Sequence, residues 1–312
     1  MRIGLLFSGQ GAQYPGMGKS LYDNSPAAKK VFDETGEDIK DWCFNGTKEI
    51  LRQTRVTQPC VFSVSMAAYE ALLESAPKQF KPEAAAGFSL GEYSAMTATG
   101  VIDGVTNGLS IVKQRGDLMS STGGSGGMVA AFGKRSEILK CVEAAREDGI
   151  LEGVNFNTPT QTVVAGQTEA LLRFREKAAK NRVKTVPLSV STAFHSPMME
   201  PAAEPLKKIL KQAGLAEPSI KLYSNVTGTE IGKDIAEIMA KQVKSPVMWQ
   251  ETILNMALSG IEVLIELGPG TSLSGMVKKI THKIVTLNVE DAESLKKTVD
   301  ALSGMSDGGK KC

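Results

Sequence analysis

Apolar residues occur in short continuous runs separated by longer amphipathic segments, a pattern typical of a buried sheet flanked by helices. The run at residues 3–7 predicts a buried strand that leads directly into a loop with two glycines and two glutamines, residues 8–13. Residues 17–80 are predicted to be mostly helical. The segment 57–73 is apolar nearly all round, which predicts a helix buried beside the sheet and beginning near Pro59.

The pattern changes after residues 120–127, a Gly/Ser-rich stretch that predicts a hinge. Strands at 128–132, 153–156, 161–165 and 183–190 alternate with helices at 136–147 and 168–180. Their order, βαββαβ, is that of a ferredoxin-like unit. We therefore predict an α/β protein in which a small ferredoxin-like subdomain, residues 126–197, is inserted into a large subdomain formed by residues 1–125 and 198–312. A cleft is expected between the two.

The chain after this insertion resumes the pattern of the large subdomain. It predicts strands at 221–226, 261–267 and 284–288, and helices at 246–258 and from Leu273 onward. Residues 303–312 are polar and Gly-rich, which predicts a disordered tail.

The segment 84–93 carries the strongest chemical signal of the chain. It contains Gly87-Phe-Ser89-Leu-Gly91 after a run of small apolar residues and before a helical pattern, which is the context of a nucleophile elbow. Ser89 is then predicted to stand at the tip of the turn, and the N–H of Leu90 to point into the same space. Because G-x-S-x-G also occurs in ordinary Gly- and Ser-rich turns, the rest of the chain has to support this interpretation.

Three further side chains are candidates for the same site. His195 lies in a non-helical segment where the chain returns to the large subdomain, whereas His282 has no such context. Arg115 sits among apolar residues of a predicted helix, where a guanidinium can bind a carboxylate through two parallel hydrogen bonds. Gln10 follows the first strand, where open α/β sheets place ligands, although it could also only close its own loop. Gln58 lies near the start of its predicted helix and could face the site, but a capping or packing role is favoured.

These residues suggest acyl transfer from a thioester. Ser89 would attack the carbonyl, and His195 would take its proton and return it to the leaving thiol. The N–H groups of Leu90 and Gln10 would hold the oxyanion. No acid is clearly placed to orient the imidazole, and the carbonyl of Gln250 is the candidate for that role.

Composition narrows the class of protein. The net charge of +2 over 312 residues argues against a nucleic-acid-binding surface spread over the molecule. The cysteines at 43, 60, 141 and 312 form no C-x-x-C pair, so neither a zinc site nor a disulfide framework is suggested, and reduced thiols of a cytoplasmic enzyme are expected. We find no signal peptide and no apolar run of membrane-spanning length.

Six motifs occur in the order and spacing of malonyl-CoA:acyl carrier protein transacylases, which the chain resembles over nearly its whole length: Gly9-Gln-Gly-Ala-Gln13, Gly87-Phe-Ser-Leu-Gly-Glu92, Gln114-Arg115, Ala193-Phe-His-Ser196, Ser224-Asn-Val-Thr227 and Glu266-Leu-Gly-Pro-Gly270. The resemblance implies an α/β-hydrolase-like core with the inserted ferredoxin-like subdomain. It implies a Ser89–His195 dyad oriented by the Gln250 carbonyl, an oxyanion hole from Gln10 and Leu90, and a malonyl carboxylate bound by Arg115. Malonyl-CoA and holo-acyl carrier protein are the implied partners.

Two positions within these motifs bear on activity and specificity. The family usually has histidine where this chain has Phe88, so any polar role at that position is absent. Phe194 is bulky and next to the expected base, which favours malonyl over methylmalonyl groups. We expect no cofactor or metal, no membrane association and a monomer. The lysines at 207, 208 and 211, or at 278, 279 and 283, are candidates for docking the acidic carrier.

Three alternatives share much of this evidence. A serine thioesterase or esterase would use the same elbow and histidine with water as acceptor. A discrete acyltransferase serving a polyketide synthase would differ only in its carrier protein. A catalytically dead binding module is disfavoured, because Ser89, His195, Gln10 and Arg115 are all present.

Overall fold

The computed structural model describes residues 1–122, 124–190 and 192–307. The first part of the chain forms β1 (Ile3–Phe7), α1 (Lys19–Asn24), α2 (Pro26–Thr35), α3 (Glu37–Asn45), α4 (Lys48–Leu51), α5 (Thr54–Ser75), β2 (Pro82–Gly87), α6 (Gly91–Ala98) and α7 (Gly104–Ser121). The middle part forms β3 (Gly126–Phe132), α8 (Arg135–Arg146), β4 (Leu151–Thr158), β5 (Gln161–Gln167), α9 (Thr168–Lys180) and β6 (Lys184–Pro187). After a 3₁₀ turn (Pro197–Met199) come α10 (Glu200–Gln212), β7 (Lys221–Tyr223), α11 (Ile235–Gln242), α12 (Trp249–Leu258), β8 (Val263–Leu267), α13 (Ser272–Ile280), β9 (Val285–Val289) and α14 (Ala292–Asp307).

Among the described residues, the larger of the two sheets is parallel and has the strand order β7-β2-β1-β8-β9. Its central strand β1 is buried at every position, as a continuous apolar run in a parallel sheet should be. Phe7 is in register with Gly87 of β2 and with Leu267 of β8. The segments that follow these three strands therefore meet at one edge of the sheet, and the elbow lies there.

A separate antiparallel sheet has the order β4-β5-β3-β6. The alternation of β3 explains its two faces. Val129 and Ala131 pack under α8 and α9 in one core cluster, whereas Met128 and Ala130 belong to the core of the larger layer. The predicted βαββαβ order of this part is confirmed by the order of its elements.

Besides the apolar contacts of Met128 and Ala130, polar contacts join the antiparallel sheet to the rest of the molecule. Val247 extends β4, because its N–H donates to Val154 O at 2.7 Å and its carbonyl accepts from Phe156 N at 2.9 Å. Arg135, at the start of α8, bonds Glu251 and Gln250 of α12 at 2.6 and 2.8 Å. These hydrogen bonds therefore hold this end of the antiparallel sheet against Val247 and α12, at one end of the cleft.

Several predicted elements differ from the observed ones. The buried helix α5 begins at Thr54 rather than near Pro59, so the proline lies within its second turn. Neither α11 nor α14 was predicted, and residues 303–307 of the expected disordered tail belong to α14. The remainder of that tail, with Cys312, lies outside the described residues. Cys43, Cys60 and Cys141 are free and buried. Within the described part of the chain, no helix is both long and apolar enough to cross a membrane.

Candidate active site

The elbow brings Ser89 to the edge of the sheet in a strained conformation. Its φ is 51°, in the left-handed region that non-glycine residues rarely adopt. The turn is tight, because a Cβ on Gly87 would overlap the backbone of Gly91, and one on Gly91 would overlap Phe7 O. Asn225 holds the turn by accepting from Ser89 N–H at 2.6 Å and donating to Gly87 O at 2.7 Å. The predicted strand–turn–helix context of Ser89 is thus present.

His195 lies directly against the serine, with 2.7 Å between its Nε2 and Ser89 Oγ. Its Nδ1 is 2.8 Å from the carbonyl oxygen of Gln242. Because a carbonyl can only accept, Nδ1 carries the proton and Nε2 is left free to accept the proton of Ser89. Burial, followed by the Arg115 charge, lowers the pKa of His195 to about 4. The imidazole is therefore neutral at neutral pH.

The carbonyl that faces His195 was predicted to be that of Gln250, and this prediction is wrong. Gln242 is the last residue of α11, and the terminal carbonyls of a helix have no intrahelical partner. Gln250 is the second residue of α12, where the free backbone groups are amides, and its side-chain Oε1 accepts from Arg135. The signal for α11 was present as Asp234, whose side chain caps Glu237 N–H.

Arg115 is the third member of the cluster and is 1% exposed. Its Nη1 donates to Gln58 Oε1 at 2.8 Å, and its Nη2 to Gln242 Oε1 at 3.1 Å and to Ser89 Oγ at 3.2 Å. Its guanidinium lies 5.0 Å from the ring centre of Tyr93. All of these partners are neutral, and within the described residues Arg115 forms no ion pair. A capping or packing role was favoured for Gln58, but its side chain accepts from this guanidinium and thus faces the site, the other possibility that the sequence allowed.

Glu92 lies fully buried beneath the elbow. It accepts from Asn225 N–H at 3.2 and 3.3 Å and from Gln242 Nε2 at 2.8 Å. Gln242 Nε2 also donates to Ser89 O at 2.8 Å. Burial raises the pKa of Glu92 to about 7, against the opposing effect of these donors. The sequence places Glu92 and Asn225 in two of the motifs, but their mutual contacts depend on tertiary structure.

Ser89, Arg115 and His195 line a cavity of about 320 Å³. Gln10 lines it and donates from Nε2 to Thr54 Oγ1 at 3.2 Å, and Phe194 lines the opposite wall. Phe88 also borders it and packs edge-on against Trp249, with 5.3 Å between ring centres. Of the predicted site residues, Ser89, His195, Arg115, Gln10 and Phe194 therefore share one cavity. Leu90 is buried at the start of α6, and Gln250 lies elsewhere.

Comparison with known proteins agrees with this geometry. A family model described as an acyl transferase domain matches residues 5–301. The malonyl CoA-acyl carrier protein transacylase of Bacillus subtilis (strain 168) is 36% identical, over 98% of this chain and 99% of that protein. The crystal structure of the malonyl CoA-acyl carrier protein transacylase from Clostridium perfringens has a TM-score of 0.94 at 37% identity, covering 100% of both chains.

A malonyl-transacylase solved in complex with a holo type II PKS acyl-carrier protein has a TM-score of 0.92 at 31% identity, covering 96% of this chain and 100% of that one. The matches span the elbow, the histidine and the buried arginine together. This chain therefore belongs to the acyl transferase family, among the malonyl CoA-acyl carrier protein transacylases.

Proposed function

We propose that the protein transfers a malonyl group from malonyl-CoA to the phosphopantetheine thiol of holo-acyl carrier protein, through an acyl-Ser89 intermediate. One observation carries the choice of acyl group. Arg115 is a buried cation beside the nucleophile, held by neutral side chains and free of any ion pair within the described residues. A buried charge of this kind is costly unless an anion joins it. The free carboxylate of a malonyl group supplies that anion next to the reacting thioester.

The chemistry follows from the hydrogen bonds of the dyad. Ser89 Oγ forms a bond to the thioester carbonyl carbon, its proton passes to His195 Nε2, and the C–S bond to CoA then breaks with return of the proton to the thiolate. The thiol of the carrier protein reverses these steps on the acyl-serine. The Gln242 carbonyl keeps the His195 tautomer that the reaction needs.

The developing oxyanion requires donors in place before the reaction. We assign this role to the N–H groups of Leu90 and Gln10. Leu90 precedes the first residue of α6, where amides lack intrahelical acceptors, and Gln10 follows β1 at the same edge of the sheet. These two groups would converge on the carbonyl oxygen from opposite sides of the turn.

For the fold we propose the finer description implied by the motifs: an α/β-hydrolase-like core, residues 1–125 and 198–312, with a ferredoxin-like subdomain at 126–197. The order β4-β5-β3-β6 and the βαββαβ sequence of elements support the second part. We also propose that the protein acts in the cytoplasm, which the free cysteines favour, and as a monomer. A basic rim for the acidic carrier remains a prediction, and Lys207 within it pairs with Glu237 at 2.5 Å.

We propose that Phe194 and Phe88 affect activity only through the shape that they give to the cavity. Phe194 lines the cavity next to His195, where it would crowd an α-methyl branch on the acyl group. Phe88 replaces the usual histidine and packs on Trp249, so we expect it to act as a wall without a role in proton transfer.

Intact-protein mass spectrometry after brief mixing with malonyl-CoA, and separately with acetyl-CoA, tests the proposal. We expect a malonyl adduct that disappears on addition of holo-carrier protein, little acetyl adduct, and no adduct on Ser89→Ala. An adduct that decays in buffer alone would favour a thioesterase. A malonyl adduct discharged by a polyketide carrier but not by a fatty acid carrier would favour the polyketide alternative.

A further inference from the structure

A second cavity, of about 560 Å³, opens beside the catalytic one. The two cavities share part of their wall, because both are lined by Arg52, Ser189, Val190 and Phe194. Thr54, whose hydroxyl accepts from Gln10 in the catalytic cavity, also lines the second one. A substrate that reaches Ser89 from this side would leave its outer part in the second cavity.

The second cavity is basic, since Arg52 and Arg55 both line it. Four of the arginines that the structure describes are paired with carboxylates: Arg2 with Glu83, Arg135 with Glu251, Arg146 with Glu152 and Arg173 with Glu147. Arg52 and Arg55, in contrast, form no ion pair within the described residues, and Arg55 bonds only the neutral Gln53 at 3.3 Å.

Hydroxyl groups and a helix terminus complete the lining. Thr192 adds a hydroxyl to this cavity, and Ser120, which also lines it, donates its hydroxyl proton to Gly116 O at 2.7 Å. Thr54 and Arg55 are the first residues of the 22-residue helix α5, whose N-terminal amides and dipole favour an anion. Two unpaired guanidinium groups, hydroxyls and a helix N-terminus at the mouth of an acyl-transfer site together match a phosphate group.

We propose that this cavity binds the phosphate at the outer end of the phosphopantetheine arm, which malonyl-CoA and holo-carrier protein share. The inference rests on the proposed function. The further point is that Arg52 and Arg55 bind the phosphate of the arm itself. The same two side chains would then bind both the acyl donor and the acyl acceptor, while Arg115 binds the acyl group.

The test uses three malonyl donors that share the pantetheine thioester and differ only at the phosphate and beyond it: malonyl-CoA, malonyl-phosphopantetheine and malonyl-pantetheine. Steady-state kinetics are measured for the Arg52→Ala/Arg55→Ala double variant and for Arg175→Ala, an exposed arginine on α9 that serves as the matched control. Two charge-assisted hydrogen bonds correspond to about a 10- to 100-fold effect. We expect the double variant to lose this factor in kcat/KM, through KM, for both phosphate-containing donors relative to malonyl-pantetheine.

The acceptor half-reaction separates the two sources of the phosphate. Malonyl-enzyme prepared from each variant is discharged with holo-carrier protein or with free pantetheine, and the double variant should be slower only with the carrier. Equal effects on all three donors, or a loss with malonyl-CoA that malonyl-phosphopantetheine does not share, would overturn the proposal. Wild-type enzyme that forms no malonyl adduct with any donor would instead refute the proposed function.

Discussion

Replacing Glu92 with glutamine should slow acyl transfer strongly while leaving the fold nearly as stable. The Glu92 carboxylate holds Asn225 through its backbone N–H and Gln242 through its side chain. Asn225 fixes the strained backbone of Ser89, and Gln242 contacts both Ser89 O and the guanidinium of Arg115. Glu92 is thus a positioning residue that acts on the nucleophile through two neighbours.

Glu92→Gln has two opposing effects on the free energy of unfolding. A shift in the pKa of Glu92 from 4.5 to about 7 corresponds to about 3 kcal/mol of destabilisation once the pH exceeds 7. This cost is absent below pH 4.5, grows between pH 4.5 and pH 7 and is complete above pH 7, because the folded state binds the proton more tightly than the unfolded state. Glutamine removes the cost but leaves one of the two donors unpaired, at about 1–3 kcal/mol. The net change in unfolding free energy at pH 8 should therefore stay within about 2 kcal/mol.

For the rate of malonyl transfer, no second effect of Glu92→Gln offsets the loss. The glutamine NH₂ group faces the Gln242 amide or the Asn225 N–H, so one of them must move, and misplacement by about 1 Å can cost about 100-fold in rate. We expect kcat for malonyl transfer to fall by about that factor.

Transfer kinetics and thermal unfolding of the same samples, from pH 5 to pH 8.5, check both expectations. Glu266→Gln is the matched control, since Glu266 is an equally buried carboxylate that instead caps α13 through Leu273 N–H and Ser274 N–H. It should lose stability and keep kcat. Wild-type kcat in Glu92→Gln, or equal loss in both variants, would refute the reasoning.

Three further predictions concern the same cavity. Arg115→Ala should lower kcat/KM for malonyl-CoA by about 100- to 4000-fold, because breaking a buried ion pair costs about 3–5 kcal/mol, and should change acetyl-CoA turnover far less. Parallel assays with both donors would expose a merely structural role as a uniform loss. Phe194→Ala should raise the rate with methylmalonyl-CoA relative to malonyl-CoA in a competition assay, and an unchanged ratio would show that the ring does not contact the branch. Asn225→Ala should cost about 2 kcal/mol or more in unfolding free energy, because Ser89 N–H and Gly87 O lose their partner, and denaturant unfolding would detect it.

Local sequence signals were enough to predict much of this molecule. The continuous apolar run of β1 and the small residues before Gly87 identify buried parallel strands, and G-x-S-x-G specifies the turn between strand and helix. The βαββαβ order of the predicted strands and helices within residues 126–197 identifies the smaller subdomain. These features depend on neighbours in sequence, which is why they could be read without a structure.

The contacts around the dyad could not be read in the same way. The choice between Gln242 and Gln250 depends on which end of a helix faces His195, and α11 had not been recognised. A free carbonyl is a property of a helix C-terminus, so a search for one after the Asp234 cap would have pointed to Gln242. The Glu92–Gln242 and Arg115–Gln58 contacts join residues 150 and 57 positions apart, and no local pattern encodes them.

With the malonyl carboxylate bound to Arg115 as proposed, selectivity for malonyl groups would be a matter of rate as well as of binding. Burial and the Arg115 charge together lower the pKa of His195 to about 4, so the imidazole is available as a base above that pH, and its contribution to stability is lost only as the pH falls from 6.5 through 4. The same charge opposes the imidazolium that forms during acylation. A malonyl carboxylate bound to Arg115 cancels this repulsion, whereas an acetyl group cannot.

The pKa of His195 should therefore rise when a malonyl donor is bound. Single-turnover acylation followed from pH 4 to pH 8 should show an acid limb at higher pH with malonyl-CoA than with acetyl-CoA, and a faster plateau. In Arg115→Ala the two limbs should coincide, because the charge that separates them is gone. Coincident limbs in the wild-type enzyme would mean that Arg115 selects its substrate by binding alone, and that the pKa of His195 does not depend on the acyl group.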